Sequence, residues 1–173
     1  QYTRGLALRF FEPKCCSSIL FRVLFSFAHF ITSEGGPQAM QFYRTKFRNS
    51  SQNTGPRGSV GIFVICADSD EEAENLMQSR DLSSVLQRTG RGGPVPTVKE
   101  AQAYEYSFEE EQLRLFNRQR FIWGTPTRVR EKIESLAKLY EVNEFLVLTI
   151  CPTLEARFRS YELLAEAFAT SER

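Results

Sequence analysis

One histidine, one tryptophan and two methionines stand in 173 residues. A single imidazole, His29, leaves no second one for a metal. The four cysteines, Cys15, Cys16, Cys66 and Cys151, include no Cys-x-x-Cys pair, so no zinc pattern and no metal site is expected. Four thiols are also too few for a disulfide scaffold, which points to a reducing compartment and mostly buried thiols. Charge of one sign is equally lacking. Lys+Arg number 22 against 21 Asp+Glu, a net +1, so no field favours nucleic acid. No run of about 18 uncharged apolar residues occurs. The nearest stretch, Cys15 to Ile31, is broken by Arg22 and His29 and lacks a small-residue cleavage site. Neither a membrane span nor a secretory signal is expected, and the expected location is cytoplasmic.

What is present is the composition of a globular chain, 42% hydrophobic and 25% charged, enough to build a core. Leu24 to Ile31 is Phe-rich and reads as a buried strand. Pro37 opens a helix to about Arg48 with Met40, Tyr43 and Phe47 on one stripe. Val60 to Ala67 is uncharged with four β-branched residues, a pattern expected where both faces of a parallel strand are covered. Ser69 and Glu72 stand at capping-box spacing before a helix towards Arg88.

Gly90 to Pro96 is a surface linker, since it fits neither GxxxxGK[ST] nor GxGxxG. Ser107 and Glu110 open a charged helix to about Arg118, and Phe121 to Gly124 is a short apolar piece. Thr125-Pro126 caps a helix carrying Val129, Ile133, Leu136, Ala137 and Tyr140. Phe145 to Ile150 is a third convincing strand. A last helix follows Pro152, with Leu154, Phe158, Tyr161, Leu164, Ala165 and Phe168 along its apolar side. The alternation argues for an α/β fold, parallel strands flanked by helices, with open edges.

Candidates for chemistry are few. His29 lies near the end of the Phe-rich strand, the side that faces ligands in α/β folds. Cys66 and Cys151 fall at strand ends without a basic neighbour in sequence, which favours buried structural thiols over nucleophiles. The acidic runs Asp70–Glu72 and Glu109–Glu111 suit helix N-termini. The arginines of 114–130, interspersed with Glu, read as a solvated face.

Several stretches together resemble the bacterial luciferase-like, flavin-dependent monooxygenases. They are Phe25-Ser-Phe-Ala-His-Phe-Ile31, Gly35-Gly-Pro-Gln-Ala-Met40 with Tyr43-Arg-Thr-Lys-Phe47, and Val64-Ile-Cys-Ala-Asp-Ser-Asp-Glu-Glu-Ala-Glu74. Trp123-Gly-Thr-Pro-Thr-Arg-Val-Arg-Glu-Lys-Ile133, Glu144-Phe-Leu-Val-Leu148 and the helix from Glu155 to Phe168 complete the set. In order and spacing they resemble the C-terminal half of that family, over residues 23–173. The resemblance implies a partial TIM-type (β/α)8 barrel made of the C-terminal βα units only. It implies reduced FMN as cofactor, with dioxygen and a small organic molecule as substrates, and a cofactor that carries the chemistry. Phe27, Ala28 and His29 become flavin-side residues; Ser17 and Ser18 stand near where the family cradles the FMN phosphate. No residue is assigned a catalytic role.

Residues 1–22 are unlike the family. A full barrel needs about 250 residues, so the chain is expected to be a fragment, inactive alone. The alternative expectation is a non-catalytic part-barrel that pairs with a second copy or with a complementary half-barrel chain. A small α/β enzyme using Cys66 or Cys151 is a third.

Overall fold

A computed structural model describes residues 22–169; Cys15, Cys16, Ser17 and Ser18 lie outside the described residues. The elements run β1 (Phe25–Ala28), α1 (Gly36–Lys46), β2 (Gly58–Cys66), α2 (Asp70–Arg88), α3 (Val98–Ala103), α4 (Phe108–Arg118), β3 (Phe121–Gly124), α5 (Pro126–Tyr140), β4 (Phe145–Leu148) and α6 (Leu154–Ala169). The fold is α/β, with a parallel sheet flanked by helices, as the alternation of uncharged strands and capped helices predicts.

β2 is the hub, because the other three strands all pair with it in parallel. β1 takes its first half, with Phe27 opposite Val60; β3 takes its second half, with Phe121 opposite Phe63. β4 pairs along the middle, Val60 with Phe145 through Phe63 with Leu148. Alternate residues of a parallel strand bond to opposite edges. The β1-side bonds use Arg57 and Gly61 and the β3-side bond uses Ala67, all odd-numbered, whereas β4 bonds through Val60. β1 and β3 therefore follow one another along a single edge, and β4 lies along the other.

The short apolar piece Phe121–Gly124 is thus a fourth strand, which four residues of sequence could not announce. α3 is a second element without a strong periodic signal. Its capping box, Thr97 with Glu100, holds one turn and a half of helix in place. Ser69 accepts the Glu72 N–H at the start of α2, and Ser107 with Glu110 forms a full box at α4, both at the predicted positions. Thr125 stands at the N-cap of α5 but makes no side-chain cap bond; Pro126 at the first helical position fixes that start.

Period-two alternation sorts the side chains onto two faces. Val60, Ile62, Val64 and Cys66 point into the main core, where α1, α5 and α6 supply Met40, Tyr43, Val129, Ile133, Tyr140, Leu163 and Leu164. On the opposite face α2 covers only the carboxyl half of β2. There Ala73, Leu76 and Met77 pack on Ile65, Ala67 and Phe121. α6 turns differently from its expected stripe: Ser160, Leu163 and Leu164 are buried, while Leu154 and Phe158 are each 63% exposed. Ser160 earns its burial, since its Oγ accepts the Cys66 N–H at 2.9 Å and so satisfies the end of β2.

Candidate functional site

The half of the second sheet face that α2 leaves uncovered is the candidate site. Ser26 and Ala28 of β1 alternate with the core-facing Phe25 and Phe27, so they lie on this open side. Gly61 and Phe63 continue it across β2, and Leu146 and Leu148 complete it on β4. Leu146 is 51% exposed and Leu148 37%, although their strand neighbours Phe145 and Val147 pack into the core. The Phe30 ring folds back over Gly61, where a Cβ would meet it at 2.8 Å. Phe30 in turn lies 5.2 Å from Phe63, centroid to centroid. The result is an apolar, partly aromatic floor with the Phe30 ring lying over Gly61.

The three residues expected beside a flavin separate on this geometry. Ala28 is half-buried on the open side. Phe27 is buried among the core residues, with its ring 5.7 Å from that of Tyr140. His29 is buried, its Nδ1 2.9 Å from the Tyr140 hydroxyl and its ring edge-on to the phenol. The proton between them belongs to either group, according to the imidazole tautomer. Burial, and then the positive charge of Arg120, hold the His29 pKa below its usual value, so the ring is neutral at pH 7. Burial pushes the Tyr140 hydroxyl up to about 12.

Neither thiol is poised as a nucleophile. Cys66 is 1% exposed, and burial raises it to about 11. Cys151 is half-buried and likewise raised by burial to about 11. Among the described residues no group of three His, Cys, Asp or Glu side chains could hold a metal ion. Arg91 in the glycine linker is held by Thr89, Tyr104 and Glu110.

Of the arginines expected on a solvated face, Arg128 is exposed and pairs with Asp70, whereas Arg114, Arg118 and Arg120 turn inward. Arg114 and Arg118 both reach Asp81 Oδ2, at 3.3 Å and 3.4 Å, from α4 across to α2. Their outer sides are engaged by Glu111 and Glu74. Arg120 is buried and donates to the carbonyls of Phe30 and Ile31 and to Asn117 Oδ1, tying the end of β1 to the end of α4. Arg80, on α2, is 7% exposed, with its guanidinium carbon 5.0 Å and 5.1 Å from the Phe63 and Phe121 ring centroids. A readable signal existed for Arg80: it stands three residues after Met77 and four after Leu76, where helical periodicity calls for an apolar side chain.

No protein-family model matches the chain. YceB, an uncharacterized protein of Bacillus subtilis (strain 168), is 43% identical over 144 residues, 82% of this chain and 43% of YceB. The N-acetyl-S-alkylcysteine monooxygenase of the same organism is 28% identical over 87% of this chain and 45% of its own length. A luciferase-like monooxygenase of Escherichia coli (strain K12) is 27% identical over 80% of this chain and 42% of its own. Among solved structures, apo-MsnO8 superposes with a TM-score of 0.74 at 25% identity, over 91% of this chain and 48% of MsnO8. The chain therefore spans less than half the length of each of these proteins. By sequence over about four-fifths of its residues, and by fold, it is similar to the luciferase-like monooxygenases.

Proposed function

We propose that the chain is the C-terminal portion of a flavin-dependent monooxygenase and that its open sheet face is one wall of the pocket. The observation that carries this reading is the asymmetry of β1, β2 and β4. One face is buried under three helices, while the other keeps Leu146 and Leu148 exposed in register with Gly61 and Phe63. A sheet with one apolar face left to water is what part of a barrel looks like when its lumen side has no opposite wall.

The floor formed by Ala28, Phe63, Leu146 and Leu148 fits the ring of FMN, which is flat and largely apolar on its faces. The cofactor would supply the redox chemistry towards dioxygen and a small organic substrate. This chain's residues would support the ring and keep water from it. His29 would act from behind the floor, fixing the end of β1 through Tyr140. Ser17 and Ser18 remain candidates for the phosphate.

One wall is too little to hold the cofactor tightly, and the chain alone is proposed to be inactive. Titrating FMN with the purified chain and following flavin fluorescence tests this. Little quenching is expected at micromolar protein, and micromolar affinity would refute the reading.

The exposed leucines also favour a second reading, in which the part-barrel covers this face by self-association or by pairing with a complementary half-barrel chain. Sedimentation distinguishes them, because a clean monomer counts against self-association. Among the described residues no helix is long and apolar enough to cross a membrane.

A further inference from the structure

β3 pairs with β2 and, among the described residues, with no other strand. The Ala67 N–H bonds the Gly124 carbonyl, so Gly124 and, by alternation, Ile122 turn their backbone groups towards β2. The backbone groups of Phe121 and Trp123 turn the other way. Among the described residues no hydrogen bond reaches them from that side. A strand edge with unmet donors and acceptors is a template for one more strand.

A groove of about 580 Å³ runs along this edge, lined by Phe121, Ile122 and Trp123 in succession. α5 forms one bank with Leu136 and Leu139, the second of them 60% exposed. The end of α4 forms the other bank, with Arg118. An unpaired ladder beside an apolar bank is what an added strand needs, because its alternate side chains point to opposite sides.

Charge decides what kind of strand fits. Lys132 Nζ and the Arg118 guanidinium carbon each stand 4.6 Å from the Trp123 ring centroid. Glu74 engages Arg118 and accepts the indole N–H from the side of α2. Lys132 has no hydrogen bond or ion pair among the described residues. Partial burial, then the charges of Arg128 and Arg118, hold its pKa below the usual lysine value, with Asp70 opposing in part. Glu131 also lines the groove, but it directly precedes Lys132 on α5, and consecutive helical residues do not face each other.

We infer that the outer edge of β3 is a docking site for an extended acidic peptide segment of a partner protein, added as a strand beside Phe121–Trp123. Its apolar side chains rest on Leu136 and Leu139, and the carboxylates between them face Arg118 and Lys132 over the indole. A second copy of the chain is the poorer occupant. Its own β3, Phe-Ile-Trp-Gly, brings no carboxylate and comes with another Arg118 and Lys132. The groove lies at the sheet edge and not on the open floor, so the inference does not depend on the flavin reading.

The test uses the 173-residue chain and capped synthetic heptapeptides. Thr-Val-Glu-Val-Glu-Val-Thr is the probe. Thr-Val-Lys-Val-Lys-Val-Thr reverses its charge, and Thr-Val-Glu-Pro-Glu-Val-Thr removes a ladder donor from its middle. Trp123 is the only tryptophan of the chain, so its fluorescence reports on the groove directly. The glutamate probe should change it saturably, and bind about tenfold more tightly than the lysine probe. The proline probe should bind about tenfold more weakly than the valine one. Hydrogen exchange followed by NMR should show the Phe121 and Trp123 amides slowed by the glutamate probe about tenfold. Lys132→Gln, a surface substitution, should narrow the gap between the glutamate and lysine probes to about threefold. Equal binding of those two probes by the unaltered chain, or a gap unchanged in Lys132→Gln, would overturn the acidic partner. Equal binding of the proline and valine probes would overturn strand addition. No saturable fluorescence change with any probe would overturn the site. Protection of the two amides that grows with protein concentration, without peptide, would assign the edge to a second copy instead.

Discussion

Nδ1 of His29 reaches the Tyr140 hydroxyl at 2.9 Å across a gap that only Gly36 leaves open. A Cβ at Gly36 would lie 2.1 Å from that hydroxyl and 2.6 Å from two ring carbons. Tyr140 is 1% exposed and cannot swing away. Gly36→Ala should therefore cost stability at the upper end of about 1–3 kcal/mol. That corresponds to a melting temperature lower by roughly 2–4 °C per kcal/mol for a chain of this size. Gly35, one residue earlier, has φ +72° but nothing near its Cβ position. Gly35→Ala should cost only the left-handed backbone penalty, about 1 kcal/mol. Thermal unfolding of the two variants checks the contrast, and equal losses would mean that Tyr140 does not fill the gap.

Two buried groups give opposite pH dependences. The folded pKa of His29 lies below 6.5, so the unfolded chain binds the extra proton first. Its contribution is present above pH 6.5 and is lost as pH falls towards the folded value. Asp81 runs the other way. Burial raises its pKa from 3.8 to about 6 despite Arg118 and Arg114, so the folded chain holds a proton that the unfolded one releases. Stability from Asp81 is full below pH 3.8 and falls as pH rises to 6, by on the order of 3 kcal/mol at most. Denaturant unfolding of Asp81→Asn between pH 4 and 7 should lack that falling component and leave the His29 slope exposed. A variant whose pH profile overlays the parent's would show that Asp81 is ionised throughout.

Much of this fold is legible in the residues, for reasons that particular elements make plain. β2 carries no charge over nine residues because both of its edges and most of both its faces are covered. Ser69 and Ser107 act locally, so their helix starts follow from spacing alone. β3 was hidden because four residues hold no period; it exists by pairing with Phe63–Cys66, a long-range fact. The floor was only half legible. Alternation places Ala28 opposite in face to Phe27, but which face the helices cover depends on where α1 and α5 return. Arg114 and Arg118 looked solvated because their partner, Asp81, lies more than thirty positions away on another helix, and Arg120 because its carbonyl acceptors, on Phe30 and Ile31, lie about ninety positions away.

The thiols provide a chemical check on burial. With Cys66 and Cys151 both raised to about 11, the thiolate fraction at pH 8 is about a hundredfold below that of an unperturbed thiol of pKa 9. Iodoacetamide labelling followed by peptide mass spectrometry should find both nearly unmodified in the native chain and fully modified in denaturant. Cys66, 1% exposed under Ser160, should be the slower. Rapid native labelling of Cys66 would contradict its place in the core and would reopen a nucleophilic role.

The two faces of the sheet should respond differently to truncation. Ile62 is fully buried on the helical side, opposite Val147 in register, and Ile62→Ala should cost about 2–5 kcal/mol. Leu146, one register step away opposite Gly61, projects into the open side. Leu146→Ala in this chain should change stability by less than about 0.5 kcal/mol. In a barrel completed by N-terminal strands the same leucine would face a wall instead of water, and Leu146→Ala should then approach the cost of a core truncation. Unfolding the two variants in the present chain, and Leu146→Ala again in a completed barrel, measures whether this face is built to be covered. If Leu146→Ala stays neutral in the completed barrel, the face is not a buried lumen wall and the pocket lies elsewhere.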